Sequence, residues 1–180
     1  MPRGGKSRVE LRSVTRRDRD AYLTATRASL KLHRPWVDPP TSEEGFAALM
    51  RRARDDSFEP MIARRREDGA IVGFLNLSQI IRRDLQSAFI AFGAVSGFEG
   101  RGYMTEGLML VVRRAFTDLR LHRIEANIQP ANAASIALVR RCGFAREGFS
   151  ARYLKVAGRW RDHEHWAIYA ELWREQRRRS

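Results

Sequence analysis

The segment Phe98-Glu99-Gly100-Arg101-Gly102-Tyr103-Met104-Thr105 combines residue types and spacing that suit one kind of chemistry. Its glycines let the backbone turn tightly and approach a ligand closely. A helix is expected to start at Met104, so the turn would end in free N–H groups and the positive end of a helix dipole, which is a site for a phosphate or diphosphate. Three phosphate-binding patterns compete. A dinucleotide fingerprint needs a third Gly or Ala where this chain has Thr105, so it fits in part. A P-loop needs a lysine where Leu108 stands after the Gly102/Gly107 spacing, so it fails. The diphosphate turn of an acetyl-CoA site needs a run of main-chain donors and no fixed side chain. A purely structural turn fits the same residues.

Two other clusters carry less. His163 and His165 alternate onto one strand face with Asp162 and Glu164 between them, but a metal site needs a third placed ligand, so no metal is expected. Cys142 is the only cysteine. It excludes an internal disulfide and a multi-cysteine metal site, and beside Gly143 at a helix end it reads as a small buried residue.

The elements that must position the glycine turn follow from periodicity. Val9–Arg12 alternates as a first strand. Thr15 and Asp18 form a capping-box-like start for a helix to about Leu32. An irregular proline-rich stretch, 33–40, precedes a helix capped by Thr41 or Ser42 that runs to about Arg54. Strands are expected over 60–64 and 71–77 around a Glu67-Asp68-Gly69 hairpin turn. Another strand covers 87–95. A helix over 104–116 buries Met104, Leu108, Val111, Val112 and Ala115. A strand over 123–128 and a helix over 133–141 with Gly143 at its end come next. Two strands, 153–156 and 163–172, joined through Gly158 complete the order. The fold class expected is α/β (α+β), a mixed, mostly antiparallel central sheet flanked by helices. The length of 180 residues suits one domain, 9–173, with basic and mobile ends at 1–8 and 174–180.

Hydrophobic residues are 43% and charged residues 31%, a soluble globular composition. Apolar runs are too short to span a bilayer, so no membrane partner is expected. No apolar stretch follows the positive N-terminus, so a signal peptide is not expected and a cytoplasmic location is the default. Lys plus Arg is 34 against 21 Asp plus Glu, a net charge of +13. That charge favours polyanions such as nucleic acid, a ribosome surface or a phosphate-rich cofactor. The excess of Arg over Lys behind it would also follow from a GC-rich genome, without selection for a partner.

The second half adds motifs in a fixed order. Arg123-Ile124-Glu125-Ala126 leads to Asn132 and Ser135, then Gly143-Phe144, then Gly158-Arg159-Trp160-Arg161-Asp162. With Leu11-Arg12, Arg34-Pro35-Trp36 and Gly100-Arg101-Gly102-Tyr103 they span about 9–172. In this order the chain resembles the GNAT superfamily of acetyl-CoA-dependent N-acetyltransferases, and within it the RimJ/RimL branch of ribosomal-protein alanine N-acetyltransferases.

The resemblance implies a GNAT-like acyl-CoA N-acyltransferase fold with acetyl-CoA as cosubstrate. It implies that backbone N–H groups of Arg101, Gly102, Tyr103, Met104 and Thr105 hold the pyrophosphate. The family pattern usually has Gln at Glu99 and a small residue at Met104; backbone donors do not depend on those side chains, although Glu99 must point away or pair with an arginine. Gly93, Ala94 and Val95 would receive the pantetheine arm as an added strand, with an N–H near Ala94 polarising the thioester carbonyl. Asn132 would contact the pantetheine end. Ser135 would sit near the sulfur as a hydrogen-bond donor or proton relay; its alternative is to satisfy local backbone in a first helical turn. Glu125 is the candidate general base, acting through water, unless it pairs with an arginine. Trp36 belongs to the segment resembling the family's acceptor loop, with a core role as its alternative.

The expected partners are acetyl-CoA, a protein N-terminus or small amine as acceptor, and ribosomal RNA through the basic surface, with a second copy of the chain as a further candidate. Small amines or antibiotics are alternative acceptors. A nucleic-acid-associated module without turnover is the reading from another class, supported by the paired arginines at 51–52, 64–66, 113–114 and 140–141.

Overall fold

A computed structural model describes residues 7–178, so most of the expected basic end 1–8, and residues 179–180 of the other, lie outside the described residues. Strand β1 is Val9–Ser13, followed by a 3-10 turn at Arg16–Asp18 and helices α1 (Arg19–Ala28), α2 (Leu30–His33) and α3 (Glu43–Arg52). Strands β2 (Phe58–Arg65), β3 (Ile71–Ile81) and β4 (Ser87–Ala94) lead to helix α4 (Tyr103–Thr117). Strand β5 (Arg123–Ile128), helix α5 (Ala133–Arg141), strands β6 (Ala145–Val156) and β7 (Arg159–Tyr169), and helix α6 (Ala170–Arg178) follow. The strands form one seven-stranded sheet in the order β1-β2-β3-β4-β5-β7-β6. Only β4 and β5 run parallel; the other pairs are antiparallel.

Three expected elements differ, and the first is β6, which begins at Ala145 rather than at 153. The helix drawn to Leu32 breaks at Ser29, which is fully buried. Its hydroxyl donates to the Ala25 carbonyl at 2.7 Å and accepts from the Ser96 N–H at 2.9 Å, so a tertiary bond to the loop after β4 sets the break. The last strand ends at Tyr169 rather than Leu172, and Ala170–Arg178 is helical, which places 174–178 in α6.

The sheet separates two apolar layers. On one face Leu108, Val111, Val112 and Ala115 of α4 and Val139 of α5 meet Leu75, Ile124, Ala126 and Ile168. On the other, Tyr22 and Leu23 of α1 and Phe46 and Leu49 of α3 meet Ile62 and Phe74. Burial at 0–1% exposure for the central α4 residues supplies the hydrophobic stabilisation that holds this helix, and with it the glycine turn, in place. Among the described residues no helix is long and apolar enough to cross a membrane.

The entry to α1 is fixed electrostatically. Asp18, 5% exposed, accepts from the Thr15 N–H and hydroxyl, both at 2.8 Å, and from the Arg12 guanidinium. The Arg12 hydrogen bond, aided by those from Thr15, holds its carboxyl down to about 2, below the ordinary carboxylate range. A depressed folded-state pKa adds stability above the unfolded value that is lost as pH falls toward 2. Asp18→Asn is therefore expected to cost about 2 kcal/mol at pH 7, roughly 5 °C in melting temperature. Thermal melts from pH 7 down to pH 2 should show the gap between wild type and variant closing below about pH 4.

Candidate active site

The central feature is a strand pair that comes apart. β4 pairs with β3 along its whole length, up to Gly73↔Ala94. With β5 it pairs only at Ser87↔Arg123, Ala88↔Ile124 and Phe89↔Glu125. Beyond Phe89 the two strands diverge, and β5 is held from its other side by β7. A cavity of about 730 Å³ occupies the wedge, walled by β4 from Ile90 to Ala94, by Asn127–Gln129, by the start of α4 and by α5.

The wedge exposes a main-chain edge. The Val95 N–H donates to the Val72 carbonyl at 2.9 Å, toward β3. Strand alternation turns the Ala94 N–H the other way, into the wedge. The Ala94 carbonyl, on that same side, accepts from His33 Nε2 at 2.8 Å. Because a carbonyl only accepts, Nε2 carries the proton, which leaves Nδ1 as a buried nitrogen without a partner. Burial also keeps His33 below the usual histidine range, so it is neutral at pH 7. Its ring packs edge-on to Phe74, with centroids 5.2 Å apart.

The glycine turn sits at one end of the wedge. Gly102 is the N-cap of α4 with φ of 85°, a left-handed conformation that glycine adopts without strain. The first intrahelical bond runs from the Glu106 N–H to the Gly102 carbonyl at 3.1 Å, so the amides of residues 103–105 have no intrahelical acceptor. Arg8 braces this turn. Its Nη2 donates to the Arg101 carbonyl at 2.9 Å, and its Nε and backbone N–H donate to Glu106 at 2.6 and 2.7 Å. Glu106 is thereby paired; burial pushes its carboxyl up, but the hydrogen bonds and charge of Arg8, with Ser7, outweigh that and hold it below the ordinary range. Glu99 points back into its own loop and accepts from the Gly97 N–H at 2.6 Å, so its charge is occupied. Arg141 of α5 reaches the Thr105 hydroxyl at 3.3 Å and adds a cation.

The structure brings many of the expected residues together. Gly93, Ala94, Gly102, Met104, Thr105, Asn132, Ser135 and Trp36 all border the cavity. Asn132 caps α5, accepting from the Ser135 N–H at 3.1 Å. The Ser135 hydroxyl has no protein partner among the described residues. Trp36 is half-buried at the cavity rather than in either core. Arg101 and Tyr103 do not line the cavity, and the Tyr103 ring packs against Phe98 with centroids 6.1 Å apart.

Two expected residues stand elsewhere. Val95 spends its N–H on Val72 and its side chain in the α1–α3 core at 6% exposure, so it does not line the cavity. Glu125 lies at the closed end of the wedge, opposite Phe89, and accepts from Arg123 Nε at 2.8 Å. Arg123 also binds Glu147, and its charge is held by both carboxylates. Glu125 therefore has the arginine pair weighed above, and no place on the cavity wall.

Several cavity residues gave no motif. His33, Gln129, Arg8 and Arg141 all border it. Gln129 Nε2 donates to the Pro35 carbonyl at 3.1 Å, tying the proline-rich loop to the end of β5. For His33 and Gln129 the sequence signal was adjacency, His33 preceding Arg34-Pro35-Trp36 and Gln129 following β5; Arg141 stood among the paired arginines, with nothing to link it to the turn. Cys142 is buried away from the cavity. Its thiol contacts the Thr105 carbonyl at 3.7 Å, and burial pushes it up to about 12. Among the described residues no group of three His, Cys, Asp or Glu is placed for a metal.

An open helix start, a splayed parallel strand pair and a free strand edge between them offer room and main-chain donors for an extended ligand that carries a diphosphate. Residues 8–145 match the family model described as an acetyltransferase (GNAT) domain. This chain belongs to the GNAT acetyltransferase family. A probable N-acetyltransferase, YjcK of Bacillus subtilis, is 43% identical over 101 residues, 56% of each chain. The ribosomal protein uS5-alanine N-acetyltransferase of Escherichia coli is 32% identical over 107 residues, 59% of this chain and 55% of that one. The match thus spans little more than half the length of these curated relatives. Mycobacterium smegmatis RimJ, solved in complex with CoA-disulfide, superposes with a TM-score of 0.82 at 32% identity, covering 91% of this chain and 82% of that chain. The sheet and flanking helices of this GNAT chain are thus those of a fold that has been solved with CoA.

Proposed function

We propose that this chain transfers an acetyl group from acetyl-CoA to a primary amine, and that the acceptor is the N-terminal amino group of a ribosomal protein. The observation that carries the first part is the continuous path from the braced turn at 101–105, along the free edge of β4 at Ala94, to Ser135. In this reading, amides of residues 101–105 receive the diphosphate, with Arg8 and Arg141 as nearby cations. Gly93 and Ala94 receive the pantetheine arm as an added strand, with Asn132 at its end. The Ala94 N–H points at the thioester oxygen and stabilises the charge that builds there as the amine attacks. His33 acts through Ala94, fixing the peptide that presents that N–H. Ser135 donates a hydrogen bond to the sulfur as the C–S bond breaks.

The cavity also favours one class of acceptor. A polyamine carries several cations and calls for several carboxylates. The acidic side chains bordering this cavity are Glu99 and Glu106, and both are occupied at the glycine turn. The opposite wall carries Trp36, His33, Gln129 and His163, none of them anionic. A peptide N-terminus, with one amine of pKa near 8 and a neutral chain behind it, suits that wall better. The +13 charge would draw such an enzyme toward ribosomal RNA and so toward its acceptor. The test is thiol release and mass spectrometry with acetyl-CoA and a panel containing Ala-initiated ribosomal-protein peptides and spermidine. Acetylation of the peptide α-amine well ahead of spermidine is the expected result; spermidine as the preferred acceptor would overturn the acceptor assignment, and no turnover with no CoA binding would overturn the enzyme.

A further inference from the structure

We propose that His163 on β7 is the general base that takes the proton from the acceptor amine. The inference rests on the acetyl-transfer reading above and names a residue that reading left open once Glu125 proved to be paired with Arg123.

Register puts His163 at the right level. The last β5–β7 pair is Ile128↔Glu164, so one step further sets Gln129 across from His163. The last β4–β5 pair is Phe89↔Glu125, so Gly93 is the β4 residue level with Gln129. Gly93, Gln129 and His163 thus span the wedge in one row, beside the Ala94 N–H. The face is also right. Asn127 and His165 share a face and bond each other at 2.6 Å. Two residues along each strand, Gln129 and His163 share it too. The opposite face packs Ile124, Ala126 and Ile128 against α4. An amine entering from the His163 side therefore approaches the wedge from the face that the glycine turn and α4 do not cover.

The tautomer is fixed as well. His163 Nδ1 lies 2.9 Å from the Arg161 carbonyl, which only accepts, so the proton is on Nδ1 and Nε2 keeps its lone pair. Nε2 has no protein partner among the described residues, and the ring borders the cavity. The other three histidines are otherwise engaged. His165 uses both nitrogens, on Asn127 and on the Ser150 hydroxyl. His33 donates through Nε2, and its Nδ1 is sealed from the cavity. His122 is exposed and pairs with Glu171.

Burial at 3% exposure disfavours the imidazolium, which keeps His163 neutral and available at pH 7. The charged and titratable groups around it are Arg161, Asp162 and His165 on β7 and Tyr153 on β6, whose ring is 6.1 Å away; the cavity it borders adds His33 and, at the glycine turn, Arg8, Glu99, Glu106 and Arg141. Asp162 favours the cation and His165 opposes it. As the C–N bond forms, one amine proton passes to Nε2 and on to solvent. The C–S electron pair leaves with the thiolate, which takes a proton from solvent by way of Ser135.

The test compares wild type, His163→Gln and His163→Ala for CoA affinity, and for kcat and KM against pH with an Ala-initiated acceptor peptide. Expected are CoA affinities within twofold of wild type and kcat lower by about 100-fold or more in both variants. The base works only when neutral, so wild-type kcat should fall as pH drops through the His163 pKa, below the usual histidine range, and this acid limb should vanish in both variants. Imidazole should restore part of the His163→Ala rate. If wild type turns over and His163→Gln keeps both its kcat and the acid limb, His163 is not the base, while the acetyl-transfer reading stands. If wild type itself neither binds CoA nor turns over, both fall together.

Discussion

Gly102→Val is expected to weaken CoA binding by at least about 100-fold. A branched residue at φ of 85° is strained by about 1–3 kcal/mol, and the chain relieves that strain by leaving the left-handed region. Leaving it rotates the amides of residues 103–105 away from a common point. A charge-assisted hydrogen bond contributes about 1.5–3 kcal/mol, so losing two of them accounts for the factor. The new Cβ would also stand 3.1 Å from Arg8 Nη2, in the path of the brace to the Arg101 carbonyl. Gly97→Val separates strain from site. Gly97 has φ of 88° with no atom within 4 Å of a new Cβ, so its variant suffers comparable strain outside the amide row. Calorimetric titration with CoA should show near-wild-type affinity for Gly97→Val and little or none for Gly102→Val, with both proteins folded by circular dichroism. Equal losses in the two variants would mean that the loop's general integrity, and not its amides, governs binding.

Gly93→Ala should lower kcat/KM by about 100-fold and stability by roughly 1–3 kcal/mol. A Cβ there would lie 2.4 Å from Phe74 Cζ and 3.2 Å from His33 Nε2. Phe74 is 3% exposed and packed in the α1–α3 core, so the end of β4 must give instead. That movement breaks the His33–Ala94 bond and shifts the Ala94 N–H from its place in the wedge. A displacement near 1 Å at a catalytic donor is enough for a loss of that size. Steady-state kinetics with separate kcat and KM, alongside a thermal melt, checks it. A stable variant with wild-type kcat would show that Ala94 has no part in catalysis.

Much of the fold was legible because local signals agreed with it. Helix α5 spans Ala133–Arg141 with Gly143 just past its end, as expected, and the 67–69 turn joins β2 to β3. Strand β6 was seen only in part because it is an edge strand, exposed along most of its length, with no apolar alternation to mark its start. The break at Ser29 depends on Ser96, a residue far along the chain. In the site, the glycine turn was legible because it is a local device, and Asn132 and Ser135 were picked out by the family resemblance, while the cap that Asn132 makes on α5 appears only in the structure. Glu125 and His163 were not legible. Both lie on strands where alternation gives a face, but only register shows that Glu125 lies where β4 and β5 still pair and His163 lies where they have parted. Arg8 and Arg141 act on the turn through long-range contacts that no spacing encodes.

The most direct test of a diphosphate held on main-chain amides is a CoA titration of 15N-labelled protein followed by amide chemical shifts. The amides of residues 101–105 and of Ala94 should move together and saturate at one affinity, with pyrophosphate alone shifting the first group and not Ala94. Saturable CoA binding that leaves the amides of 101–105 unmoved would contradict it.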